Sequence, residues 1–111
     1  MTTTNTVLIP AKIAENAQTS QYTSTNAVTL IDKFTATNYS GTAATLSVNL
    51  VAAGGAAGDA NLISKTKTLQ PSETYTFPEI VGHVLTSGAF ISTIAGTATA
   101  INIRASGRVI S

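Results

Sequence analysis

Residues 28–51 read VTLIDKFTATNYSGTAATLSVNLV, and this stretch decides the fold. Asn38-Tyr39-Ser40-Gly41 forms a turn signal between two runs of alternating character. In the second run Leu46, Val48 and Leu50 fall on one side and Thr45, Ser47 and Asn49 on the other, which is the period of two of a half-buried strand. The first run puts Val28, Leu30, Phe34 and Ala36 on one parity, with Asp32 as the odd member. A carboxylate on a buried face is costly unless paired. Asp32 is therefore either hydrogen-bonded or turned outward by a β-bulge near Ile31. The bulge is preferred, because it also moves Ile31 toward the core. The stretch is predicted to be a hairpin whose Leu30, Phe34, Leu46, Val48 and Leu50 build the core.

Working outward toward the N-terminus, Gln18–Asn26 is polar with a single aromatic, a loop or an edge strand carrying Tyr22. Ala11–Asn16 fits either one helical turn or a short extended piece. Val7-Leu8-Ile9 is a brief apolar strand stopped by Pro10, whose missing N–H confines it to a strand end or edge. Residues 1–6 are expected to form a polar, flexible tail that only a partner would order.

Toward the C-terminus, Ala52–Ala60 (AAGGAAGDA) holds nothing large enough to anchor it and reads as a flexible loop. It lacks the Gly-Lys-Ser/Thr ending of a phosphate-binding loop. Leu62–Leu69 carries Lys65 and Lys67 on one parity, the mark of a guarded edge strand. Gln70-Pro71-Ser72-Glu73 is a turn with proline at its natural second position. Thr74–Phe77 then alternates, so Leu62–Phe77 is predicted to be a second hairpin lying across from the first. Pro78–Leu85 fits a short helical turn, since proline suits the first helical position and Glu79 the positive end of the dipole. Phe90–Ala95 is apolar on both parities and belongs in the middle of a sheet. Arg104 and Arg108 bracket a predicted Ser-Gly turn, and the apolar pair Val109-Ile110 docks the C-terminus into a sheet. Seven to eight short strands with almost no helix define an all-β chain, an antiparallel β-sandwich or jelly-roll-like barrel.

Composition narrows the function. The chain has 111 residues, the size of one domain. Only 10% are charged, against roughly 25% in an ordinary domain. Threonine, serine and asparagine supply the polarity instead, and uncharged polar groups cost less to desolvate against a neighbour than ions do. A net charge of +1, with six basic residues spread along the chain, gives no footprint for nucleic acid. There is no cysteine for a disulfide or a thiolate metal site. Residues 1–14 show no basic region ahead of an apolar core, so no secretory signal is expected, and no apolar run reaches the roughly 18 residues of a membrane span.

The reactive inventory is small. His83 is the only histidine, and no Gly-x-Ser-x-Gly elbow accompanies it; a lone histidine beside an apolar turn reads as a packing or hydrogen-bonding residue. The acids Glu15, Asp32, Asp59, Glu73 and Glu79 show no spacing of a glycosidase pair or a calcium loop. No enzyme activity, cofactor or metal is expected. Candidate interface residues are Thr2, Thr3, Thr4 and Asn5 in the tail, Tyr22 and Tyr39 as the aromatic platforms, and Arg104 and Arg108 as anchors, arginine being enriched at interfaces.

FTATNYSGTAATLSVNLV, the glycine-rich loop with Asp59 and Leu62, LQPSETYTFPEIVGHVL, GAFISTIAGTATAINIRASG and the closing RVIS resemble small virion structural proteins encoded by tailed phages and prophages. The likeness runs from about Ile31 onward and lies in strand and turn residues. It implies a β-sandwich virion component whose partners are the major capsid protein or other virion proteins. With the low charge and threonine-rich surface, it favours a capsid decoration or cement protein that forms homo-oligomers on the capsid surface after assembly in the host cytoplasm. A neck, tail or receptor-binding module that takes host-surface carbohydrate is the other reading.

Overall fold

A computed structural model describes residues 2–111. The strands are β1 (Thr3–Ile13), β2 (Thr19–Thr23), β3 (Val28–Asn38), β4 (Ala44–Val51), β5 (Leu62–Leu69), β6 (Thr74–Tyr75), β7 (Val84–Leu85), β8 (Phe90–Ala95) and β9 (Ile101–Ile110), with one 3-10 turn at Asp59–Asn61. They form two antiparallel sheets. The front sheet runs β1-β9-β3-β6 with β7 also on β3, and the back sheet runs β2-β8-β4-β5. β6 pairs with Ala36 and Thr37 while β7 pairs with Thr29 and Leu30, so they are two halves of one strand position. Merging them leaves eight positions, ordered 1-8-3-6 and 2-7-4-5. That is the strand order of a jelly roll, one of the two all-β architectures expected from the sequence.

Residues 28–51 do form two strands, but the predicted hairpin is absent. β3 lies in the front sheet and β4 in the back one, and the chain crosses between them over residues 39–43. Asn38, fully buried, builds the crossing. Its Nδ2 donates to the Thr42 carbonyl at 2.8 Å and the Leu69 carbonyl at 2.9 Å, and its Oδ1 accepts from the Ser40 N–H at 2.9 Å and Oγ at 2.7 Å. Its backbone exchanges bonds with Ser72 and Glu73. One amide thus ties the crossing from β3 to β4 to the crossing from β5 to β6. The second predicted hairpin is corrected the same way, for β5 and β6 sit in opposite sheets. Its turn is as expected, closed by the Glu73 N–H donating to the Gln70 carbonyl at 3.0 Å.

The bulge at Ile31 is present. The β3 register against β9 slips between Ile31 and Lys33, leaving Ile31 fully buried and Asp32 exposed. It also reverses the parity ahead of it, so Thr29 and Ile31 face inward while Val28 and Leu30 face out. Leu30 therefore leaves the predicted core set. Phe34, Leu46 and Val48 remain fully buried, and Leu50 packs partly buried against them. Opposite the bulge sits Gly107, paired with Ile31. No Ser-Gly turn separates Arg104 from Arg108, because β9 runs unbroken through both. Glycine is needed for a different reason: a Cβ there would collide with the Leu30 carbonyl oxygen and stand 3.1 Å from the Leu8 side chain. Gly107→Ala is expected to destabilise the fold by about 2 kcal/mol, the scale of overpacking against a part that cannot yield. Urea unfolding of the two proteins measures it.

The expected N-terminal tail is a strand. Met1 lies outside the described residues; Thr3 to Thr6 pair with Ile110 to Gly107, and Thr2 and Ser111 exchange backbone bonds of 2.6 and 2.9 Å. The ordering partner is the chain's own C-terminal strand, which β-branched threonines suit as neighbours. The Ala52–Ala60 loop is also tied down, through polar anchors. Asn49 Nδ2 donates to the Gly58 carbonyl and to Asn61 Oδ1, and Asn61 Nδ2 donates to the Ala56 carbonyl. Pro78–Leu85 holds a single turn, in which the Val81 N–H reaches back to the Phe77 carbonyl, and no helix. β5 is an edge strand, as its lysines predict, and β8 is central.

Two polar clusters close the sandwich's open sides. At one, Lys12 donates to Glu15 and Gln21, and Gln21 Nε2 donates to Glu15 and to Thr93 Oγ1. The Gln21 bond, then Lys12, hold the Glu15 carboxyl below its ordinary range. At the other, Lys67 lies 4.3 Å over the Tyr75 ring. The Tyr75 hydroxyl donates to the Glu79 carboxylate, which pushes the phenol's pKa up.

Candidate interaction face

The outward face of the front sheet brings together several side chains singled out in the sequence. Residues directly opposite in an antiparallel ladder share a face, and Arg104 and Arg108 are exposed on β9 while Ile103 and Ala105 are buried beneath. Asn5 lies opposite Arg108 and Thr3 opposite Ile110. From β3, Leu30 stands on the other side of Arg108, Val28 beside Ile110, Lys33 beside Ser106 and Thr35 beside Arg104. β7 adds Val84 next to Leu30. Thr3, Asn5, Arg104 and Arg108 therefore share one surface, although at least 99 positions (5 to 104) separate the first pair from the second in sequence.

The bulge sets this face's electrostatics. It throws Asp32 outward, where Arg108 grips it with two bonds, Nε to Oδ2 at 3.0 Å and Nη2 to Oδ1 at 2.9 Å. That fork holds the Arg108 pKa above its ordinary value. Lys33 and Arg104 have no carboxylate within ion-pair distance among the described residues. Three cations against one acid make the face basic. An open depression of about 580 Å³ runs between Asn5, Val7, Asp32 and Arg108, and a smaller one of about 190 Å³ lies by Lys33, Thr35 and Arg104.

The face is also where exposed aliphatic side chains gather. Val7 (43%), Ile13 (45%), Val28 (37%) and Val84 (55%) all project from it, the first two opposite Ser106 and Asn102. Sequence reading missed these four, together with Lys33. Val28 carried a usable signal in its parity, but the bulge reverses the face to which that parity points.

The remaining candidates lie elsewhere. Thr2 is at the end of β1 and Thr4, opposite Val109, takes the other parity from Thr3 and Asn5. Tyr22 is half-buried against the core, and its hydroxyl bonds Thr29 Oγ1 at 2.9 Å, in a chain that continues to Ser24. It props the sandwich. Tyr39 is 51% exposed where β3 leaves for β4, at the opposite end of β3 from Val28. His83 is exposed, and its backbone carbonyl accepts the Ile31 N–H beside the bulge. Among the described residues no three His, Asp or Glu side chains converge as a metal site, and no helix is long and apolar enough to cross a membrane. The groups on the front face, aliphatic, hydroxyl, amide and guanidinium, can make apolar contacts and hydrogen bonds. No family model matches the chain, and comparisons with curated proteins and with solved structures return no match.

Proposed function

We propose that the chain is a virion structural protein that decorates a phage capsid, docking through the outer face of its front sheet and bridging neighbouring major capsid subunits. The observation that carries this reading is the gathering of four exposed aliphatic residues and three cations on one sheet face. Apolar surface rimmed by polar groups marks protein contact sites, here centred on Val28 and Val84, which lie next to Leu30, one along β3 and the other across from it, and arginine is favoured there while most other charged side chains are depleted. The resemblance to tailed-phage virion proteins supplies the kind of partner. The basic balance calls for a partner surface with acidic groups, and a lattice of repeated sites needs only modest affinity at each copy.

The test is rebinding of purified protein to particles that lack it. Val28→Glu and Val84→Glu together are expected to lower occupancy on the order of 30-fold, the weight of one hot-spot residue of about 2 kcal/mol. Both side chains are exposed, so the fold should survive the change. Thr97→Glu, on the exposed turn between β8 and β9, serves as the control and should bind normally. Undiminished binding by the double variant would reject this face.

A further inference from the structure

The outer edge of β1 from Thr3 to Val7 has no strand beside it, for β1 is the last strand of the front sheet. Thr2 and Ser111 exchange both of their N–H···O bonds. In an antiparallel ladder such bonded pairs alternate with unbonded ones. Thr4 opposite Val109 and Thr6 opposite Gly107 therefore bond to β9. The N–H and C=O groups of Thr3, Asn5 and Val7 point the other way, off the sheet. They form a row of six backbone groups that no strand of this chain takes up among the described residues.

Free edges are normally guarded by lysine, proline, a bulge or short length, and the rest of this molecule follows that rule. β5 carries Lys65 and Lys67, and its register slips around Thr66, which has φ 44°. β2 is broken by a slip between Ser20 and Tyr22. The second half of β1 has Pro10 and two slips, after Val7 and after Ile9. Thr3–Val7 alone has none of these. It is regular, uncharged, and rich in β-branched residues that favour strands.

We propose that a second copy of this chain pairs with the edge, antiparallel, about a two-fold axis through Asn5. The register is self-complementary. Asn5 lies opposite its own copy and Thr3 opposite Val7, so the three residues that offer bonds on one protomer meet the three that offer them on its partner. Six backbone hydrogen bonds close the joint. Thr4 falls opposite Thr6, a cross-strand pairing that threonine favours. Charge does not oppose the contact, since residues 2–11 carry none. The nearest cation, Arg108, is held by its own Asp32 and would stand roughly 14 Å from its copy, three strand spacings away. The axis runs perpendicular to the sheet, so both front faces look the same way and the docking face is doubled. This pairing goes beyond the capsid reading and stands without it, because its test needs the purified chain alone.

The experiment combines light scattering across a concentration series with residue-resolved amide exchange. The wild type should pass from monomer to dimer below millimolar concentration, and the Thr3, Asn5 and Val7 amides should exchange about tenfold more slowly in the dimer. Asn5→Pro removes an outward N–H while leaving the Thr4 and Thr6 bonds to β9, and proline is tolerated on a strand edge. It should remain monomeric with its melting temperature unchanged. Asn5→Lys, which leaves the backbone intact and puts like charges at the axis, should do the same and decides the matter if proline disturbs the strand. A wild type that stays monomeric, a dimer that survives Asn5→Lys, or a dimer whose Asn5 amide exchanges freely would each overturn the proposal.

Discussion

Replacing Phe77 with alanine is expected to lower the unfolding free energy by about 3–5 kcal/mol, a large part of the roughly 5–15 kcal/mol that holds a domain folded. The ring is fully buried, edge-on to Phe34 at 5.2 Å between centroids and to Tyr75 at 4.7 Å. It joins the short β6 and the turn after it to the core strand β3. The backbone there has φ 40°, a conformation that costs a side-chain-bearing residue about 1–2 kcal/mol. Alanine would lose the ring and keep that strain. Phe77→Gly would lose the ring and relieve it. The glycine variant should therefore be at least as stable as the alanine variant, the reverse of the usual order in a strand. Urea melts of the three proteins read both effects.

Asn38→Ala is expected to cost about 2–4 kcal/mol. The Leu69 carbonyl and the Ser40 N–H would lose the side-chain partner they have, while the Ser40 hydroxyl and the Thr42 carbonyl keep their 2.9 Å bond to each other, and each buried group left unsatisfied costs about 1–3 kcal/mol. The exposed side of the turn can recover part of this from water, which holds the total below the sum. Because Asn38 joins two crossings between the sheets, the loss should also appear locally. Amide exchange at Asn38 and Ser72, whose N–H groups bond Glu73 and Asn38 itself, should quicken more than exchange in the middle of β9. Equal quickening at both places would mean that Asn38 acts only through global stability.

The all-β class and most strand positions were legible because alternation and turn residues are local signals. Leu46 and Val48 are core residues in the fold as in the sequence, and Asp32 marks a real bulge. Pairing was not legible. A period of two reports that one side of a strand is buried, and it is the same whether the next strand lies alongside or across the sandwich. Asn38 decides between those outcomes through bonds to Leu69 and Glu73, more than 30 residues away. The N-terminal segment was misread for a related reason: its ordering partner is β9, at the far end of the chain.

The interaction face follows the same division. Thr3, Asn5, Arg104 and Arg108 could be picked out by residue type, but their convergence rests on the β1-β9 register. Val28 and Val84 became surface residues only through the bulge and the β7 pairing. Tyr22 had the right type for a contact residue, yet its hydroxyl is spent on Thr29 and Ser24.

The most direct test of the proposed capsid role is a cryo-EM reconstruction of phage particles produced together with this chain, at a resolution that orients a jelly roll. The expected result is a copy number close to that of the major capsid protein, with the front sheet, and so Val28, Val84 and Arg104, turned toward the capsid lattice. Contradiction would come from about six or twelve copies in a neck or tail ring, or from a capsid-bound chain whose front face looks out to solvent.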